Sequence, residues 1–486
     1  MAAEKNENSY RNILKGTSIF GGVQIFQILI NLIRGKFVAM LLGPSGMGFS
    51  TMYTSASNTI SQFASLGLNL AFVKEVAANK EKPSSLAHIL YVAGIMIRLT
   101  ALIGALACLV LSPMLSRWSF GTSDYTWQFV LLSVAVFLTV ASMGQASLLQ
   151  GMHKMKLLSL TSLTGAISGL VAGVPLYYFF GTRGIVPAMI VLSLTTWGFY
   201  TYGLRKATGR SRIRFDRATH LPMMRRMFSL GIILLAANLI NSTCTYLINI
   251  FIRTHGDIAD VGLFNAANSI TLQYAGVVFT AMALDYFPRL TAAAGDMRRM
   301  SVIINRQMVT VALIATPLSI LLVASAPIVI RLLLTTEFLP VTGLMRWLGI
   351  SILLKAIAYP LGYITFANNN RRLFFWLEAV ACNVLYISLS IVFYYYFGLA
   401  GLGYAAVTEQ AACILLYLGV NYKTYGFRPD RRALTETMLA VMLGAAGFCT
   451  TLSGETVLSY YLISTVFLVS AARSFVMLRS LMRSRD

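Results

Sequence analysis

Fourteen long apolar stretches limit what this chain can fold into more than any other feature. A hydrocarbon core about 30 Å thick needs roughly 20 apolar residues per helix. Cutting the sequence at its polar, Gly and Pro interruptions gives spans near 13–41, 49–73, 86–111, 127–149, 157–180, 184–204 and 228–252. The series continues at 262–287, 302–331, 344–367, 373–397, 401–422, 434–453 and 456–478. Backbone N–H and C=O groups in lipid must be bonded within the chain, which leaves helices for segments of this length. The expected fold is an all-α integral membrane protein. A content of 57% hydrophobic and 12% charged residues over 486 positions excludes an ordinary soluble enzyme.

Against this apolar background the charge is lopsided: 39 Lys and Arg face 17 Asp and Glu, a formal +22. Such a balance suits either nucleic acid or an anionic membrane surface, and the location of the cations decides between them. Thirty lie in the N-terminal segment, the even-numbered loops and the C-terminal tail. Seven lie on the opposite face: Arg34, Lys36, Arg117, Arg183, Arg253, Arg331 and Arg346. Two, Arg98 and Lys355, fall in mid-span. This asymmetry predicts both termini in the cytoplasm and needs no nucleic acid to explain it. Met1 to Asn12 is polar and lacks a cleavage-site pattern, so no cleaved signal peptide is expected.

The chain divides at its longest polar segment and its two halves resemble each other. Residues 1–204 form a first lobe of six spans, 205–227 a basic cytoplasmic linker, 228–425 a second six-span lobe, and 426–486 two further helices and a basic tail. Pro113 and Arg117 in SPMLSR match Pro327 and Arg331 in APIVIR at an offset of 214, which Gly48 and Gly262 share. Farther on, YYFFGTRG matches YYYFGLAG, and Gly398 and Gly401 lie 217 residues after Gly181 and Gly184. Six spans per repeat insert both copies in one orientation, a parallel repeat.

Ionisable side chains at membrane depth are costly unless they meet water, a partner or a ligand. Arg34, Arg98 and Lys355, together with Arg253 at the end of span seven, are the candidate substrate-binding cations. Gln24, Gln27, Asn31 and Arg34 recur at helical spacing on span one, and Asn238, Ser242, Thr245, Asn249 and Arg253 make a comparable stripe on span seven. Both stripes would line a cavity; the alternative is interhelical hydrogen bonding. Lys355 precedes Pro360 and Gly362, which can open the backbone bonding of span ten; it reads as a moving part near an anion site or as a salt-bridge partner of Glu378 or Glu409. Glu378, Glu409 and Asp285 are candidates for coupling to H⁺ or Na⁺, with charge compensation as the alternative.

Other signals carry less. Gly165, Gly169 and Gly173 give span five a small-residue packing face, and Tyr177 to Phe180 with Tyr394 to Phe397 suit an interfacial aromatic belt. Cys108, Cys244, Cys382, Cys413 and Cys449 stand singly in apolar stretches and read as small buried hydrophobes. Neither they nor His88, His153, His220 and His255 show metal-ligand spacing, and no P-loop occurs, so no metal and no cofactor are expected. No cluster of acid, base or metal groups suggests an enzyme.

The segment LLGPSGMGFSTMYTSASNTISQFASLGLNLAFVKEVA, with KAIAYPLGYITFANNN and YYYFGLAGLGYA farther on, resembles the polysaccharide transporters of the multidrug/oligosaccharidyl-lipid/polysaccharide exporter superfamily, the O-antigen flippase type. The resemblance runs through spans one to twelve. It implies two six-helix lobes around a central cavity that opens alternately to each side of a bacterial inner membrane. It implies a cargo of oligosaccharide linked through pyrophosphate to a polyprenol, which Arg34, Arg98, Lys355 and Arg253 would help carry, since guanidinium groups grip phosphate oxygens in pairs. Membrane lipids and a glycan polymerase machinery are the expected partners. A multidrug exporter of the same superfamily and a non-transporting scaffold for glycan assembly are the alternatives.

Overall fold

The computed structural model describes residues 2–208, 216–451 and 457–483, and their side chains outside 2–25, 230, 232–237, 275, 277–278, 280–285, 457 and 481–483. Among these the chain is helical, with no strand. It forms two compact units, Met1–Gly262 and Leu263–Asp486.

The first unit contains α1 (Ala2–Ser65), α2 (Leu68–Asn79), α3 (Pro83–Val110), α4 (Ser112–Phe120), α5 (Thr126–Gly151), α6 (Met155–Phe180), α7 (Ile185–Thr208) and α8 (Arg217–His255). Its core joins Tyr53, Phe72, Phe129, Leu132 and Tyr246, while Leu102, Ile103, Leu106 and Val110 of α3 remain exposed. Apolar side chains exposed along a helix of this length suit lipid, not water.

The second unit holds most of α9 (Ile258–Ala292), then α10 (Met297–Leu333), α11 (Thr342–Ala367), α12 (Arg371–Phe374), α13 (Cys382–Tyr425), α14 (Arg431–Cys449) and α15 (Val457–Arg483). A π-helical turn, Phe375–Ala381, joins α12 to α13. Tyr286, Ile304, Leu361 and Phe427 are central to its core. Asp216, Asp296 and Asp430 cap the starts of α8, α10 and α14 by accepting bonds from backbone N–H groups of the first turn.

Among the described residues nine continuous helical stretches are long and apolar enough to cross a membrane. Twelve of the fourteen sequence-read spans fall in these nine, because three stretches each hold two spans merged across a break. The breaks lie at Gly43, Gly181–Gly184 and Gly398. The other two spans, 228–252 and 262–287, fall in α8 and α9, where several side chains lie outside the described residues. The protein is a multi-pass membrane protein.

The repeat seen in the sequence is visible in the backbone. Gly181 has φ 56° and ψ −134°, and Gly398 has φ 59° and ψ −143°. Both angles belong to glycine and both turn the chain back on itself. Three residues on, a Cβ at Gly184 would lie 2.1 Å from Leu176 O and one at Gly401 2.0 Å from Phe393 O. Each turn therefore folds two helices into a tight antiparallel pair: α6 on α7, and the first half of α13 on its second half. The packing face read for span five is also in place, since Gly165 and Gly169 lie against Thr196 and Leu192 of α7.

Candidate functional site

In the first unit the candidate residues divide between bonded and unbonded. Gln27 accepts a bond from Ser162 Oγ at 3.0 Å, which ties α1 to α6, while Asn31 is exposed. Arg34 is half-buried and makes no hydrogen bond or ion pair among the described residues; the Gln24 side chain lies outside them. Arg98 is exposed, and its Nε donates to Gly94 O one turn back at 3.1 Å.

The α8 stripe is largely engaged in helix contacts. Asn249 is buried and donates to Ser55 Oγ at 2.9 Å, and Ser242 O accepts from Thr59 at 3.2 Å. Arg253 donates to Trp118 O at 3.0 Å with its guanidinium over Gly121, while Asn238 is exposed. Among the described residues Arg98 and Arg253 bond to different carbonyls and Arg34 to none, so no shared hydrogen-bond partner joins the cations of the first unit.

The second unit brings its candidates together. Lys355 is exposed in the middle of α11, flanked by buried Leu353, Leu354, Ala356 and Ile357, and makes no hydrogen bond or ion pair among the described residues. Tyr359 and Tyr363 follow at one and two turns, with ring centroids 4.7 Å apart. Phe279 and Phe287 of α9 pack against these two rings at 5.5 Å and 5.8 Å. The face of α11 thus offers a cation followed by a tyrosine ladder. The helix stays continuous through Pro360; Pro360 O and Leu361 O accept bonds from Tyr286 and Asn421 at 2.8 Å and 2.9 Å.

Glu409, in the second half of α13, is 7% exposed. Its carboxylate accepts from Gln410 Nε2 at 2.6 Å and from Cys413 Sγ at 3.3 Å. Lys355 lies within electrostatic range of it without forming an ion pair. Cys413 Sγ is 3.1 Å from Cys382 Sγ, which is 3.2 Å from Tyr417 Oη, and Tyr417 donates to Glu378. Glu378 is exposed on the π-helical turn, a widened geometry often found at functional positions. The Asp285 side chain lies outside the described residues.

Sequence reading missed Tyr417, the Tyr359–Tyr363 ladder and the polar role of two cysteines. Cys382 and Cys413, expected to be isolated apolar side chains, sit in contact as free thiols. Their separation of 31 residues hides the pairing until α13 folds at Gly398. The tyrosines were open to detection, since they stand four and eight residues after Lys355 on one helical face.

A family model described as polysaccharide biosynthesis protein matches residues 37–342, well over half of the chain. The chain belongs to the polysaccharide biosynthesis protein family. Relatives of this family member include the Lipid III flippase of Escherichia coli (strain K12), 21% identical over 374 residues, covering 75% of this chain and 87% of that protein. The Lipid III flippase of Shigella flexneri matches with the same identity and coverage. Among solved structures, the Lipid II flippase MurJ in an inward closed conformation superposes with a TM-score of 0.68 at 15% identity, covering 96% of this chain and all of MurJ (100%). An inward-facing multidrug resistance MATE family transporter of the MOP superfamily superposes at 0.67 and 15%, covering 87% of this chain and 98% of that one. The chain thus has the fold of these transporters, and the relatives named here are flippases and transporters, not enzymes.

Proposed function

We propose that this protein flips a polyprenyl-pyrophosphate-linked oligosaccharide, an O-antigen, capsule or exopolysaccharide repeat unit, from the cytoplasmic to the outer leaflet of a bacterial inner membrane. Both termini are cytoplasmic in this reading, and transport proceeds by alternating access driven by an H⁺ or Na⁺ gradient. The observation that carries it is Lys355, a cation in the middle of a membrane helix that makes no hydrogen bond or ion pair among the described residues, with Tyr359 and Tyr363 on the same face. An ammonium at that depth is costly unless something anionic shares the site. A diphosphate supplies the negative charge, and tyrosine rings offer both stacking area and hydroxyls to a sugar. Arg34, Arg98 and Arg253 of the first unit are the further candidate cations for the cargo, and Glu378 and Glu409 are the coupling carboxylates. The flippase relatives support the cargo class, and the transporter fold supports the mechanism.

The second reading, export of organic cations, draws on the MATE-like fold and on the two carboxylates of the second unit. The mid-helix charge of α11 is positive and forms no ion pair among the described residues, which favours an anion. Purified protein in liposomes separates the readings: movement of a labelled lipid-linked oligosaccharide between leaflets supports the first, and efflux of an organic cation with no lipid movement supports the second. Catalysis of neither process supports a scaffold.

A further inference from the structure

The two copies of the repeat differ at the interface where they are otherwise most alike. Subtracting the 217-residue offset, Cys382 and Cys413 correspond to Gly165 and Thr196, Glu409 to Leu192, Glu378 to Thr161 and Tyr417 to Tyr200. In the first copy this interface is ordinary close packing: a Cβ at Gly165 would lie 2.9 Å from Thr196 Cα, and one at Gly169 3.0 Å from Leu192 Cα. Thr161 bonds back to its own helix at Leu157 O, 2.8 Å away. In the second copy the same positions carry five exchangeable protons or their acceptors in one connected chain, Glu378, Tyr417, Cys382, Cys413 and Glu409. Packing alone needs neither the two carboxylates nor the two thiols, as the first copy, which keeps only the tyrosine as Tyr200, demonstrates.

One end of the chain, Glu378, is exposed; the other, Glu409, is buried with only neutral donors on its oxygens. Among the described residues, the titratable groups facing Glu409 are Lys355 from α11, Cys413 one turn along, and Glu378, Cys382 and Tyr417 through the chain. Lys355 is the only cation among them. Ala358 of α11 shares a core with Cys413 of α13, and Ala356 and Ile357 pack with Ile414, so Lys355 and Glu409 lie on helices in direct contact and their opposite charges offset each other in part.

We propose that Glu409 is a proton-operated switch on the charge of Lys355, supplied with protons from Glu378 through Tyr417, Cys382 and Cys413. This deepens the flippase reading and rests on Lys355 handling an anion. With Glu409 ionised, Lys355 is compensated and holds a diphosphate weakly. With Glu409 protonated, the ammonium stands alone and holds it tightly. In the transfer, a protonated Glu378 gives its proton to Tyr417 Oη, whose own proton passes to Cys382 Sγ. The Cys382 thiol proton passes to Cys413 Sγ, and the Cys413 proton to Glu409 Oε1. Each intermediate atom gains one proton and loses one, and no electrons move. Reciprocity requires that a bound anion in turn favour protonation of Glu409, so proton and cargo load together; a proton that loads with outward-moving cargo cannot draw on an inward H⁺ gradient, so of the two gradients the switch leaves Na⁺ as the driver.

The test measures binding of farnesyl-diphospho-N-acetylglucosamine to the full chain in detergent, since its diphosphate diester keeps a constant charge near neutral pH. Affinity is expected to tighten about tenfold from about pH 8 to about pH 6, within the usual range for coupled sites. Glu409→Gln is expected to bind tightly at both values, and Lys355→Met weakly at both. Unchanged binding by Lys355→Met overturns the anion reading of Lys355 itself. Weak binding by Lys355→Met, with wild-type pH dependence retained in Glu409→Gln, leaves that reading intact and overturns the switch. Calorimetry of the wild-type chain in two buffers of different ionisation enthalpy needs no variant: proton uptake on binding supports the switch, and its absence overturns it. Tyr417→Phe breaks the path without removing either end, so its flipping rate should fall at least about tenfold while affinity at fixed pH is kept; a wild-type rate overturns the relay.

Discussion

Glu75 on α2 holds Arg226 on α8 in a two-pronged ion pair, with Nε donating to one carboxylate oxygen at 2.9 Å and Nη2 to the other. The Glu75 side chain is 8% exposed and that of Arg226 66%, so the two partners are not equivalent. Hydrogen bonding to Glu75, reinforced by its charge, makes the Arg226 guanidinium harder to deprotonate than usual. Arg226→Ala leaves a buried carboxylate without its cation and should destabilise the first unit by about 1–2 kcal/mol, discounted from a fully buried pair because water reaches the arginine. Glu75→Gln leaves only a solvated arginine and should cost less. Thermal unfolding midpoints in detergent should fall in that order; equal midpoints would show that the pair does not hold α2 to α8.

A second prediction concerns the first turns of α9, which lie within the first unit, against α1. A Cβ at Gly262 would lie 2.0 Å from Pro44 O and 2.7 Å from Gly48 N, both backbone atoms that cannot step aside. Gly262→Ala should therefore force the helices apart and cost about 1–3 kcal/mol. Gly181 is the contrast, because its Cβ would meet nothing within 4 Å but its φ is positive. Gly181→Ala should cost about 1–3 kcal/mol through backbone strain alone. Adding a large side chain separates the two mechanisms: Gly262→Leu should be much worse than Gly262→Ala, and Gly181→Leu little worse than Gly181→Ala.

Acid should loosen the start of α8. Asp216 accepts bonds from the Thr219 hydroxyl and the backbone N–H groups of Ala218 and Thr219, and these hold its carboxyl below its ordinary value, the hydroxyl contributing most. A carboxyl lowered in the folded state stabilises the helix start above its unfolded value and loses that contribution as pH falls through the folded one. Amide exchange at Ala218 and Thr219, corrected for intrinsic pH dependence, should speed up over that acidic window. In Asp216→Asn, which caps without titrating, the window should vanish.

The sequence carried the helices, the repeat and the glycine turns, because these depend on local composition and on residues a few positions apart. Gly181 and Gly398 could be matched by spacing and proved to share one backbone geometry. The candidate cations were also legible, since an arginine or lysine in an apolar run is conspicuous. Their surroundings were not. Arg253 meets a carbonyl at Trp118, 135 residues away, and Glu409 reaches Glu378 through two cysteines and a tyrosine that meet only across a folded hairpin. Single cysteines in apolar stretches have the same appearance in sequence whether they fill space or join a polar chain.

The flipping rate of a labelled lipid-linked oligosaccharide in liposomes containing Lys355→Met tests the central claim most directly. A hydrogen bond to a charged group contributes about 1.5–3 kcal/mol, so losing the ammonium should slow flipping by roughly tenfold to a hundredfold at about 1.4 kcal/mol per decade. Lys355→Arg, which keeps the charge, should retain much of the rate. A Lys355→Met protein that flips the lipid as fast as the wild type would contradict the account.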